Sequence, residues 1–270
     1  MKNILTILLL LFLPWLSACT ESEAWMSPVI LGGGGGGVVC DDCSGTVGAA
    51  WHMESTAIEG GDPCGCTDNA SKTVTVSGAT LEGAQKNDGN YSLLVNATNE
   101  YASLPITSAD IYDSAQGSLE FHVYLDTTTG NNDIFEAYGD ANDYMRFRIT
   151  ATGIYYNHTS NGTLVTFTKN PSSENFCTDD VWCHVQLKWD IAAGLTDSDC
   201  PGHEMMFRTC PDNVCSDEDW YGEADSDDGT AFGTEPTIIA IGENQIGSEV
   251  VDGYYVDTFR ISTSTSGLGF

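Results

Sequence analysis

The chain runs to 270 residues and carries 39 Asp+Glu against 9 Lys+Arg, a formal net charge of −30 at pH 7. A surface that negative repels nucleic acid and anionic lipid, which excludes the polyanion-binding classes. It suits calcium, a cationic partner or a saline habitat, or it is simply a solvated acidic coat that maintains solubility.

Residues 1–19 read as an export signal. Lys2 supplies a small positive start, and residues 4–13 form an apolar run too short to span a bilayer. Leu16-Ser17-Ala18-Cys19 resembles a bacterial lipobox. The resemblance implies cleavage before Cys19 and acylation of that residue, several chains on one residue being enough for stable anchoring. Ordinary secretion with cleavage near Ala18 is the alternative. Thr20 follows the cysteine, where an Asp would mark inner-membrane retention in enteric lipoproteins; the analogy implies the outer membrane or cell surface. Loss of Lys2 with the leader leaves eight Lys+Arg against 39 Asp+Glu, a net of −31. No second long apolar run follows, so the remainder is expected to be soluble. Residues 20–39 read as a tether, because the six glycines at 32–37 cannot hold a fixed backbone.

Residues 40–265 are expected to form one large domain, with 266–270 a short tail. Cys40, Cys43, Cys64 and Cys66 bracket the first strand, residues 49–54. Four thiolates can hold zinc, but an exported chain favours disulfides, with the pairing open. Strand patterns follow at 72–77, 91–96, 100–104, 117–126, 133–138, 144–150, 153–157 and 163–168, separated by turn residues.

Residues 182–190, WCHVQLKWD, are the clearest strand. Cys183, Val185, Leu187 and Trp189 fall on one face, and Trp182, His184, Gln186 and Lys188 on the other. Trp189 gives the core a large apolar area, while Trp182 needs cover of its own. Cys177 and Cys183 are spaced to close a small loop where this strand begins. Residues 192–236 form an acidic excursion with Cys200, Cys210, Cys215 and a short strand at 204–209. Nine cysteines remain besides Cys19, so one thiol is expected free or intermolecular, among these three. Strands at 237–242 and 254–262 end the domain. The total is eleven to thirteen strands with no helical period: all-β, two packed antiparallel sheets.

The order of these pieces resembles the laminin G-like, concanavalin A-like jelly roll. Ala50-Trp-His-Met-Glu54 with Thr67-Asp-Asn-Ala70 is similar to that family's opening segment. Gly89-Asn-Tyr-Ser-Leu-Leu-Val95 with Glu100-Tyr-Ala-Ser-Leu104 resembles its next strand pair. Trp182-Cys-His-Val185 resembles its Trp-His-Val strand with one residue added. Ile241-Gly242 and Gly253-Tyr-Tyr-Val-Asp-Thr-Phe-Arg-Ile261 resemble its closing signature. Cysteine density and the long acidic excursion depart from the family pattern. The resemblance implies a two-sheet jelly-roll sandwich, and fold alone does not assign function.

No catalytic constellation is visible. The Glu-x-Asp-x-x-Glu strand of glucanases on this fold is absent. His203-Glu204 lacks the second histidine of a zinc protease helix, and no Gly-x-Ser-x-Gly elbow occurs. The five histidines are scattered, and structural or surface roles account for them.

Calcium wants several oxygen ligands together. Residues 217–228 hold seven carboxylates in twelve residues, among them Asp225, Asp227 and Asp228. They are not an EF-hand, whose first position would be Ala224, and a solvated acidic loop is the competing reading. A second set comes from the resemblance, which places an aspartate of the closing strand near the early Asp/Asn segment: Asp257, Asp68 and Asn69. Asp257 is expected on the face of Phe259 and Ile261, inside the core, where a carboxylate needs a metal, a cation or amide donors. Trp220 and Tyr221, set in the acidic run, either stack on a sugar or form the loop's own small core.

Three functions are weighed. The first is a non-catalytic binding module recognising glycan or a cell-surface protein, with or without the assistance of calcium. The second is a structural adhesion or envelope-assembly lipoprotein with no small ligand. The third, without any motif, is a polysaccharide hydrolase or lyase.

Overall fold

The computed structural model describes residues 47–51, 53, 74–106, 112–127, 130–170, 176–191, 193–195, 203–211, 220–223, 232–242, 253–266 and 268. The described residues form fifteen strands and no helix. In chain order these are β1 (Val47–Trp51), β2 (Thr75–Ser77), β3 (Thr80–Glu82), β4 (Ser92–Val95), β5 (Tyr101–Pro105), β6 (Gln116–Leu125), β7 (Asn131–Asp140), β8 (Asp143–Thr150), β9 (Gly153–Ser160), β10 (Thr163–Lys169), β11 (Trp182–Asp190), β12 (Met205–Pro211), β13 (Tyr221–Glu223), β14 (Ile238–Gly242) and β15 (Tyr254–Ser262). One sheet runs β13-β12-β11-β6-β15-β4-β3, with β1 also paired to β15; the other runs β10-β9-β8-β7-β14-β5-β2. Both are antiparallel, and they pack as the expected all-β sandwich.

Alternation builds the core. Val185, Leu187 and Trp189 of β11 pair across with Phe121, Leu119 and Gly117 of β6, and all three are fully buried. Fully burying such side chains contributes roughly 1.5–3 kcal/mol each. From the facing sheet, Met145, Phe147 and Ile149 of β8 are equally buried. Phe147 meets Phe121 edge-on at 5.7 Å and Phe207 at 5.8 Å. Trp189 needs a glycine opposite: a Cβ at Gly117 would lie 2.3 Å from its ring. Its indole N–H donates to the Asp113 carbonyl at 2.9 Å.

The structure departs from the sequence reading at three points. Two further strands appear, β3 and β13, each three residues long and too short to display a period. The strand expected at 204–209 is shifted to Met205–Pro211. Most consequential is β15, where the pairing with β6 slips between Asp257 and Arg260, and Thr258 takes φ 49°. One extra residue there reverses the parity of everything before it. Phe259 and Ile261 point into the core, but Asp257 pairs with His122 on the outer face, not with them.

Candidate functional site

The outer face of the eight-stranded sheet orders its side chains in rows. In the first row, Leu94 of β4, Tyr255 of β15, Tyr124 of β6 and Trp182 of β11 are successive cross-strand partners. The second holds Asp257, His122, His184 and Cys210, and the third Arg260, Glu120, Gln186 and Arg208. The fourth holds Ser262, Ser118, Lys188 and Met206.

The far rows are closed. Glu120 accepts from Gln186 Nε2 at 3.2 Å and from Arg260, and lies 3.0 Å from His184 Nε2. Burial pushes its carboxyl up, but the His184 bond and charge, the Arg260 guanidinium and Gln186 together hold it down at about 2. Arg208 donates to Gln186 Oε1 at 2.5 Å. Two of the histidines meet in space: His122 stacks on His184 at 4.4 Å and 12°. Burial, with His184 and Arg260 beside it, lowers His122 to about 3 against the pull of Glu120. Glu120, His184, Gln186, Arg208 and Arg260 thus spend their polar groups on one another.

Trp220 closes the last row. It is 5% exposed and forms a small cluster with Leu195 and Met206. Lys188 Nζ and Arg208 Cζ lie 4.9 and 4.7 Å from its ring centroid. The indole is thus the excursion's own small core, not an open platform for a sugar. Tyr221 turns to the opposite side, against the main core. Its ring stacks on Phe207 at 5.8 Å, and Lys169 Nζ lies 4.3 Å from its centroid. Lys169 is 1% exposed and donates to Thr209 Oγ1 at 2.8 Å across the gap between the sheets. Neighbouring acids make the two aromatics look exposed in the sequence; pairing of β13 with β12 brings Tyr221 under cover, and Leu195 and Met206 cover Trp220.

The first row is open. Tyr255, Tyr124 and Trp182 are half-buried, with Tyr124 edge-on to Tyr255 at 6.0 Å and tilted against Trp182 at 5.6 Å. Tilted ring pairs at this spacing contribute about 0.5–1.5 kcal/mol each beyond their burial, so the row holds its shape without a ligand. Each residue is legible as an outward position in its own strand. Their meeting depends on register between segments more than fifty residues apart, which no local pattern reports.

Asp257 is fully buried beneath the turn after β3. Its Oδ2 accepts from the Asn87 and Asp88 amides at 2.8 and 2.9 Å, and its Oδ1 from the Thr258 amide at 2.7 Å. Burial raises its pKa to about 6 in spite of those donors. Three N–H dipoles aimed at its oxygens suit an anion and oppose a cation, so Asp257 does not fit a calcium ligand. Among the described residues, no three His, Cys, Asp or Glu side chains converge to hold a metal. Asp68, Asn69, Asp225, Asp227 and Asp228 lie outside the described residues, as do Cys19, Cys40, Cys43, Cys64, Cys66, Cys200 and Cys215. Cys177 and Cys183 are bonded, and Cys210 is also in a disulfide, which removes it from the free-thiol candidates.

The other sheet also carries an outward charged group. Arg148 makes a two-pronged contact to Asp133 at 2.6 and 2.9 Å, with Arg146 at 3.7 Å. These charges answer each other.

No protein-family model matches the chain, and no curated protein matches it. Solved structures do. The binding domain of Paraclostridial Mosquitocidal Protein 1 is similar at TM-score 0.54 and 11% identity, over 82% of this chain and 49% of that one. The receptor-binding domain of botulinum neurotoxin C/D mosaic serotype is similar at TM-score 0.53 and 9% identity, over 82% and 48%. This chain therefore spans about half the length of those domains. At such identities the shared property is the fold, and the chain is an antiparallel β-sandwich of the architecture found in these binding domains.

Proposed function

We propose that this protein is a non-catalytic binding module that recognises glycans on the Tyr255–Tyr124–Trp182 row. One observation carries the reading. Three aromatic side chains from adjacent strands stand half-exposed in one line, on a face whose remaining rows are closed. Aromatic rings offer sugars an apolar surface while their polar tips stay wet. The fold shared with a binding domain and a receptor-binding domain supports this reading, as does the resemblance to laminin G-like jelly rolls. Acylation at Cys19, with the glycine tether, would hold the module at a bacterial outer membrane or cell surface. Calcium assistance belongs to the same proposal only through residues 217–228 and Asp68 and Asn69.

The test is a glycan array probed with the full chain and with Tyr124→Ala and Trp182→Ala. Binding by the parent that falls at least tenfold in both variants, with unchanged circular dichroism, supports the row. Parent binding that neither substitution alters would move the site elsewhere, and an array with no signal would remove the glycan reading.

A further inference from the structure

We propose that the row selects glycans bearing free amines, oligomers of de-N-acetylated hexosamine, and that Asp126 and Asp180 receive their ammonium groups. The inference rests on the glycan-binding reading and names the ligand class for the same row.

The charge around the row is one-sided. The Tyr124 hydroxyl donates to Asp180 Oδ1 at 3.2 Å. The Asp180 amide donates to the Leu125 carbonyl at 2.9 Å, which sets this residue beside the end of β6. Asp126 follows β6 directly and donates its amide to the Gly253 carbonyl at 3.3 Å. Its Oδ2 would lie 3.5 Å from a Cβ at Gly253, just before Tyr254 and Tyr255. Both carboxylates therefore flank the row on the same side, where β6 ends and β11 and β15 begin. Neither has a cationic partner among the described residues, and burial and the charge of Asp180 both raise the Asp126 carboxyl. Glu82, on β3, adds a third acid close enough to raise the Tyr255 hydroxyl, after burial and Asp126.

Three of the four described cations of this face are committed elsewhere. Arg260 is on Glu120, and Lys188 and Arg208 lie against Trp220. The exposed Lys86 sits on the turn over Asp257. A neutral sugar would use the rings and leave two mutually repelling carboxylates as they are. An amino sugar uses both features, because an ammonium is drawn to ring faces and to carboxylates alike. A chain of net charge −30 adds long-range attraction for such a polycation and repels uronic or sulfated glycans.

The experiment compares chitosan and chitin oligosaccharides of equal length, binding to the full chain in mildly acidic, low-salt buffer. They share a backbone and differ in the amine. We expect chitosan to bind about tenfold more tightly, and the preference to vanish at about 1 M salt. Asp126→Asn with Asp180→Asn should abolish the preference, bringing chitosan to the same affinity as chitin on that variant, whereas Trp182→Ala should weaken both sugars. Equal binding of the two sugars overturns the amine inference and leaves the glycan reading standing. Binding of other array glycans with neither hexosamine oligomer bound does the same. A lysine homopeptide that binds as tightly as chitosan overturns it too, because attraction would then need no sugar.

Discussion

The Tyr124 hydroxyl meets Asp180 Oδ1 at 3.2 Å, and the loop that brings Asp180 there is closed by the Cys177–Cys183 disulfide. Asp180 holds a left-handed backbone at φ 61°, and Asp179 bridges to Leu125 at the end of β6. Both sulfurs are buried in the core, so the crosslink fixes from beneath a loop whose upper side carries Asp180 and leads into Trp182.

Replacing Cys177 and Cys183 together by alanine is expected to cost about 2 kcal/mol, the chain-entropy value for so short a loop. Denaturant unfolding of the variant measures it. Glycan affinity should fall by a further, separable factor, because Asp180 and Trp182 lose their fixed positions. Full affinity in a folded variant would show that other contacts hold the loop.

His158 gives an acid-labile point inside the sandwich. It is fully buried against Phe232 at 5.0 Å, and neither ring nitrogen has a hydrogen-bond partner. Burial lowers it from 6.5 to about 4, against the pull of Asp143. The unfolded chain therefore takes up this proton first. The stability tied to His158 is complete above pH 6.5 and is lost as pH falls toward 4. His158→Phe should remove that loss, on the order of 2–3 kcal/mol at its low-pH limit. Melting curves of parent and variant should diverge below neutrality; parallel curves would refute the assignment.

Asp257 works in the opposite sense. Its folded pKa is raised from 3.8 to about 6, so its contribution is greatest below 3.8 and is lost as pH rises through 6. Asp257→Asn should flatten this decline while keeping an acceptor for the Asn87 and Asp88 amides. In the double variant with His158→Phe, stability between pH 4 and 7 should vary less than in either single variant. Added calcium should leave the melting temperature of the Asp257→Asn variant where it leaves the parent's, since the site is built of amide donors.

Much of this architecture is legible in the sequence. Alternation in 182–190 places Val185, Leu187 and Trp189 inside and His184, Gln186 and Lys188 outside, as the structure has them. Period two fails at Thr258, because a bulge inserts a residue without a composition signal and carries Asp257 to the other face. Trp220 and Tyr221 mislead for a different reason. Acidic neighbours mark a segment as solvated, yet Tyr221 on the three-residue β13 packs on the main core and Trp220 just before it is covered on the outer face by Leu195 and Met206. The aromatic row needs the register of three strands at once, information that resides in tertiary packing.

The sheet borders have a consequence for how copies of this protein coexist. β2, β3 and β13 end their sheets with three residues each, too few free amides and carbonyls to template another chain. Among the described residues two borders remain: β1, five residues paired only with β15, and β10, seven residues long, which turns Lys169 inward onto Thr209. Short edges and an inward-facing charge, among the described residues, disfavour zipping of neighbouring copies into shared sheets. Their contacts are left to the faces, which is where a ligand bridging two neighbours would have to act.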